Sequence, residues 1–169
     1  STNTELMRRA RQGHAEAVLL VAERQTAGRG RMGRSWQGEP AHTLMFSLGL
    51  PLAPQDWSGL SLAVGLSLAH SLDPQGQHGV RLKWPNDLWL AQDTGWSKLA
   101  GILIETAVSP HNNERYCVIG VGLNLVAPPD AALSTPAVGW QSLDAQATAP
   151  SVLAQVAAPL LQDVLRFAQ

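Results

Sequence analysis

Between Gly28 and Arg34 three glycines are interleaved with three arginines, directly behind an apolar run that ends at Ala22. Glycine permits a tight curl or a positive φ, and each guanidinium is a permanently charged fork of donors, so the stretch suits the holding of an anion. It matches the G-x-G-x-x-G dinucleotide pattern, and it also reads as a small basic patch for RNA or as a basic surface loop with no ligand. The dinucleotide reading fails on its surroundings. Arg29, Arg31 and Met32 fill gaps that should be small, Gly38 and Pro40 oppose the helix that should follow, and Leu44 to Leu50 ends without an acidic residue. A P-loop is no better matched, because no Gly-Lys-Ser/Thr follows.

Other chemistry-bearing positions raise the loop above an ordinary basic loop. The only two lysines, Lys83 and Lys98, lie in Lys83-Trp84-Pro85-Asn86-Asp87 and in Lys98-Leu99-Ala100-Gly101-Ile102-Leu103-Ile104-Glu105. With Ile119-Gly120-Val121-Gly122-Leu123-Asn124, these segments put polar or glycine positions into apolar strands, which weakens a core unless something approaches them. Two lysines and an arginine cluster in one pocket would suit a polyanion such as a nucleotide. Asp87 and Glu105 could then meet a magnesium ion, which takes one or two carboxylates plus phosphate oxygens. Read as structure alone, they are a turn-capping aspartate and a strand-edge charge.

The elements that must position these residues follow from periodicity and punctuation. Thr2-Asn3-Thr4-Glu5 fits a capping box that starts a helix over about residues 3 to 12, with Gly13 as its stop and Arg8, Arg9 and Arg11 on a solvated face. Ala17 to Glu23 reads as a buried strand delivering the Gly/Arg segment. Thr43 to Leu50 is a second strand, and Asp56 caps a helix from Trp57 to about Leu72. Val80 to Trp84 and Leu88 to Ala91 form a hairpin around Pro85-Asn86-Asp87, followed by a polar connection over Gln92 to Ser97. Lys98 to Val108 and Tyr116 to Val126 form an antiparallel pair joined through Ser109 to Glu114. Residues 127 to 150 read as an irregular or partly helical crossing. An amphipathic helix from Ser151 closes the chain, kinked or split at Pro159. Unequal strand spacing favours an α+β fold with a mixed, largely antiparallel sheet and packed helices.

The 169 residues suit one domain with a sizeable core. A net charge of −1 argues against a dedicated nucleic-acid binder, and the basicity is local: Arg24, Arg29, Arg31 and Arg34 are four of the 12 Lys and Arg residues. Cys117 has no partner and sits in an apolar run, which fits a reducing, cytoplasmic setting. Leu60 to Leu72 is too short and too interrupted by serines to span a membrane.

Taken together, Glu23-x-Gln25-x-Ala27-Gly28-Arg29-Gly30-Arg31-x-Gly33-Arg34-x-Trp36, Lys83-Trp84-Pro85-Asn86-Asp87, Lys98-Leu99-x-Gly101-Ile102-Leu103-x-Glu105 and Gly120-x-Gly122-x-Asn124 resemble the catalytic core of biotin protein ligases, in order and spacing. The opening Ser1-Thr2-Asn3 matches too. The resemblance implies a fold related to class II aminoacyl-tRNA synthetases and lipoate ligases. It also implies activation of biotin by ATP with Mg2+, and transfer to a lysine of a biotin carboxyl carrier protein. By resemblance, Ser1, Thr2, Asn3, Gln25, Gly28, Arg29, Gly30, Trp36, Gly101 and Leu103 form the biotin site, with Arg29 offering its backbone. Arg29, Arg31, Arg34, Asn86, Asp87, Lys98, Asn124 and Trp140 serve ATP, with Trp140 stacking on adenine. Lys98, Arg31 and Arg34 are the catalytic cations, and Asp87 is the magnesium candidate.

Met45 stands where the family often has an aromatic residue. The resemblance implies one catalytic domain over residues 1–169, with no DNA partner and no membrane; a homodimer is left open. The regulatory members' DNA-binding winged helix and most members' SH3-like domain have no counterpart, and the opening without methionine and the end inside a helix read as a fragment. The alternatives are a lipoate or other acyl-adenylate ligase, and a silent nucleotide- or RNA-binding module.

Overall fold

Thr43–Pro51 carries apolar or small residues at nearly every position, so both of its faces need cover, and in the computed structural model all but its last residue are buried. The structure describes residues 1–108, 115–129 and 135–169. In chain order the strands are β1 (Val18–Ala22), β2 (Thr43–Pro51), β3 (Val80–Lys83), β4 (Asp87–Gln92), β5 (Gly95–Val108) and β6 (Arg115–Asn124), and the helices are α1 (Thr2–Arg11), α2 (Leu60–Leu72) and α3 (Ala149–Phe167). They build one six-stranded sheet in the order β1-β2-β6-β5-β4-β3. Every ladder in it is antiparallel, and the parallel component is an isolated bridge between Lys98 and Ala137.

The two sheet faces do different work. On one, α2 and α3 bury Leu60, Val64, Leu68 and Leu72 with Val152, Val156, Leu160 and Val164 against Phe46, Ile102, Ile119 and Leu123. On the other, α1 sets Leu6, Met7 and Ala10 on Ala107, Tyr116 and Val118. α1 covers only part of that face, and the uncovered part becomes the site.

Several expectations are corrected. The N-cap of α1 is Ser1, whose side chain accepts from the Thr4 N–H, while Glu5 is drawn to Arg8 and Arg9 instead of closing a box with Thr2. Those two guanidiniums hold the Glu5 carboxyl down at about 2. β1 is a half-exposed edge strand, with Leu19 and Val21 turned outward, not a buried one. α2 begins at Leu60 after Gly59, whose φ of 84° no β-carbon favours; Asp56 caps only the preceding turn, at Ser58. Gln92 pairs with Gly95, so the polar connection is a tight hairpin and β5 starts earlier than expected. α3 runs through Pro159 without a break, because its buried face outweighs one lost hydrogen bond. The expected connection Ser109 to Glu114 lies outside the described residues, as does part of the crossing over 127–150.

Candidate active site

The floor of the site is made by leaving side chains out. Gly101 on β5 pairs directly with Gly122 on β6, and Gly120 follows on the same face. A β-carbon at Gly122 would fall 2.3 Å from the Trp36 indole, and one at Gly120 would fall 2.2 Å from Asn3 Oδ1. Both are closer than packed atoms allow, so these glycines are what let Trp36 and Asn3 lie on the sheet. Above this notch is a cavity of about 520 Å³.

One end of the cavity is polar and uncharged. The first turn of α1 delivers Ser1, Thr2 and Asn3, and the loop after β1 delivers Gln25. Thr2 N donates to Gln25 Oε1 at 2.8 Å. Among the described residues the Gln25 amide nitrogen donates only to Met45 Sδ, at 3.3 Å, a weak acceptor, so it keeps donor capacity for a ligand. Ser47, fully buried beneath, lies 2.7 Å from Thr2 Oγ1 and 2.6 Å from Asn3 Oδ1. Asn3 donates to Leu103 O at 3.1 Å and to Glu105 at 2.9 Å. Among the described residues the indole N–H groups of Trp36 and Trp89, both lining the cavity, are buried without a partner. Such donors cost free energy unless something accepts from them.

The other end is charged. The turn between β3 and β4 is fixed to β5 by two bonds: Asn86 Nδ2 to Ile102 O and Ile102 N to Asn86 O, each 2.8 Å. Ser61 on α2 donates to Pro85 O at 2.7 Å. This sets Asp87 2.9 Å from Lys98 Nζ, a contact too oblique for a well-formed hydrogen bond, so the buried Asp87 Oδ1 lacks an aligned donor. Lys98 Nζ also lies 5.6 Å from the Trp36 ring centre, and Lys83 Nζ sits 3.7 Å over Trp89.

The Gly/Arg loop crosses the top. An isolated antiparallel bridge links Arg29 and Ser35, closed by Gly30 N to Arg34 O at 2.7 Å and Trp36 N to Gly28 O at 2.9 Å. Between them Met32 takes a left-handed φ of 57° and is 90% exposed. Arg31 reaches Asn86 Oδ1 at 3.4 Å, and Arg29 forms an ion pair with Glu105.

The cavity thus gathers Ser1, Thr2, Asn3, Gln25, Arg29, Gly30, Arg31, Arg34, Trp36, Asn86, Asp87, Lys98, Gly101 and Leu103 from the expected set. Three expected residues stand off it. Gly28 shapes the loop turn through its carbonyl. Asn124 is buried and donates to Lys98 O at 3.4 Å, bracing β5. Trp140 is buried in the larger core with its edge towards His78. A shared magnesium between Asp87 and Glu105 is corrected: Asp87 pairs with Gly101, and Glu105 lies four residues further along β5, roughly 13 Å away. Among the described residues no group of three or more His, Cys, Asp or Glu could hold a metal. Lys83, expected as one of the pocket's two lysines, lines the cavity with its neighbour Trp84, while Ser47 and Trp89 were not picked for the site. Ser47 carried a signal, a lone hydroxyl in an all-apolar strand, and Trp89 carried none.

Residues 1–124 match the family model described as biotin/lipoate A/B protein ligase. A biotin–acetyl-CoA-carboxylase ligase of Mycobacterium tuberculosis is 37% identical over 96% of this chain and 61% of its own length. The enzyme of the same name from Paracoccus denitrificans is 35% identical over 94% of this chain and 67% of its own. The chain spans about three-fifths of the first of these relatives. Among solved structures, the biotin protein ligase of Aquifex aeolicus in complex with biotin and ATP superposes with a TM-score of 0.73, at 26% identity, over 96% of this chain and 67% of that one. With the polar pocket, the cationic turn and the Gly/Arg loop all in one cavity, the chain belongs to the biotin/lipoate A/B protein ligase family, among its biotin protein ligases.

Proposed function

We propose that this chain activates biotin with ATP and passes the biotinyl group to a lysine of a biotin carboxyl carrier domain. In the first step the biotin carboxylate attacks the α-phosphorus, forming biotinyl-5′-AMP as pyrophosphate leaves. In the second, a lysine amine attacks the acyl carbon and AMP leaves. The observation that carries the reading is the cavity's two-ended polarity. An uncharged end rich in donors suits a ureido ring, and a cationic end suits a carboxylate meeting a phosphate.

Two anions must approach in that first step. At about 4 Å their repulsion costs roughly 4 kcal/mol at an effective dielectric near 20, so fixed cations are the main catalytic device required. Lys98 is assigned to the reacting carboxylate and α-phosphate, and Arg31 and Arg34 to the phosphate chain. Ser1, Thr2 and Gln25 hold the head group, Asn3 braces that end of the cavity, and Trp36 is a wall over the glycine floor. The donor set fits a magnesium ion carried in on phosphates, since Asp87 offers one carboxylate oxygen without an aligned donor. When bound, that ion neutralises phosphate charge and orients the leaving group. No stacking is assigned to Trp140.

Calorimetric titration with biotin, then with ATP and magnesium, tests this directly. Biotin binding followed by pyrophosphate release is expected. Activation of lipoate alone, read by mass spectrometry, would move the substrate within the family. Salt-sensitive RNA binding without pyrophosphate release would replace the enzyme reading with a binding module.

A further inference from the structure

We infer that Glu105 is a positioning residue that latches the Gly/Arg loop to the sheet through Arg29 and so holds the loop in place over the cavity. The inference rests on the biotin reading for its kinetic part only.

Three observations carry it. First, Glu105 is held from below: Asn3 Nδ2 donates to its carboxylate at 2.9 Å, and Asn3 is 3% exposed and itself fixed by Ser47 and Leu103. Second, the same carboxylate oxygen takes the Arg29 guanidinium. It therefore joins the anchored floor to a loop with few other ties to the rest of the molecule. Third, the two hydrogen bonds that close the loop use Gly28, Gly30, Arg34 and Trp36, so neither spends the Arg29 N–H. In an antiparallel bridge of this kind the paired residues keep their own backbone groups free. The Arg29–Glu105 pair is thus a tie of the loop to the sheet that is separate from the loop's own closing bonds.

Glu105 does not line the cavity, and its distance from Asp87 removes it from the metal. Its carboxylate instead does what a surface ion pair alone does weakly. One buried amide holds it in a single orientation, so less side-chain freedom is lost when the arginine docks.

The test is limited trypsin digestion of the ligand-free chain, because Arg29, Arg31 and Arg34 are themselves cleavage sites. In Glu105→Gln, which keeps an acceptor for Asn3 but loses the charge, cleavage at these three arginines should be about fivefold faster, the upper range for one exposed ion pair. Cleavage elsewhere should be unchanged. In Glu105→Ala the loop should be cut at least as fast. Digestion at the wild-type rate overturns the latch, and acceleration spread over the whole chain overturns it in favour of a general stability role.

A kinetic arm separates the latch from the function. Glu105→Gln should raise KM for biotin about tenfold with kcat within about twofold, as expected for lost ground-state positioning. A loss confined to kcat would place Glu105 at the reacting atoms and overturn the proposal. If the wild-type chain shows no biotin activation, the functional reading fails while the digestion result still decides the latch.

Discussion

Two segments hang over the same cavity, and they are held in contrasting ways. The turn at Pro85 to Asp87 is bound to the β5 backbone by both amide groups of Asn86 and to α2 by Ser61. The Gly/Arg loop is bonded mainly to itself, with Arg29 to Glu105 and a long Arg31 to Asn86 contact as outward ties, and Met32 at its tip is in solvent. The first segment carries a carboxylate that must stay at a fixed distance from Lys98. The second carries cations which, on the proposed function, admit a substrate and then cover it. Opening free energy is distributed to match: backbone bonds into a buried sheet open only with the fold, whereas a self-bonded loop opens locally.

The largest expected effect lies on the fixed side. Lys98→Ala should lower adenylate formation about 10²- to 10³-fold, the cost typical of removing one preorganised donor, while biotin affinity changes little. Single-turnover kinetics beside calorimetry would check this, and equal losses in both would make Lys98 a ground-state binder. Asn86→Ala should come next, destabilising the chain by about 1–3 kcal/mol because the Ile102 carbonyl loses its side-chain donor. Denaturant unfolding reads it; an unchanged midpoint would mean the turn is no firmer than the loop.

On the side of the Gly/Arg loop, Arg31→Gly should leave stability within about 0.5 kcal/mol yet release adenylate faster, seen as labelling of bystander lysines. Retention at the wild-type rate would show that the loop does not cover the intermediate.

The smallest effect is a titration of the fixed side. Asp73 ends α2 and shapes the loop into β3, accepting from the N–H groups of His78 at 3.1 Å and Val80 at 3.4 Å. Burial pushes its carboxyl up, but the backbone donors together pull it below the ordinary value. Because the unfolded state then binds the proton more readily, this stabilisation is complete above about pH 3.9 and fades as the pH falls below it. Asp73→Asn should flatten that acid limb in pH-dependent unfolding; an unchanged slope would remove Asp73 from it.

The sequence showed the site better than it showed the elements around it. Gly101, Gly120, Gly122, Lys98 and Asp87 were legible because glycine or charge inside an apolar strand is costly unless something lies against it. Trp89 was not, since an indole in a strand looks like core until its N–H is found without a partner. Glu105 was visible as a charge but misassigned, because spacing along the chain does not say which end of a strand faces which turn. Pro159 was read through its local penalty, which the packing of α3 overrides. β1 looked buried by composition, and only the sheet order makes it an edge.

The glycine notch has one more consequence. Gly101 and Gly122 face the cavity, while their neighbours Ile102, Val121 and Leu123 face the α2–α3 core. Substitution outward exchanges one volume for another and can be absorbed by repacking, as apolar cores usually permit. Substitution inward meets the Trp36 indole, 2.3 Å from a β-carbon at Gly122 and 3.1 Å from one at Gly101, so it displaces a wall of the cavity instead of core. Neighbouring positions of the same strands therefore answer to different rules: Ile102, Val121 and Leu123 to the packing of the core, and Gly101 and Gly122 to the wall of the cavity.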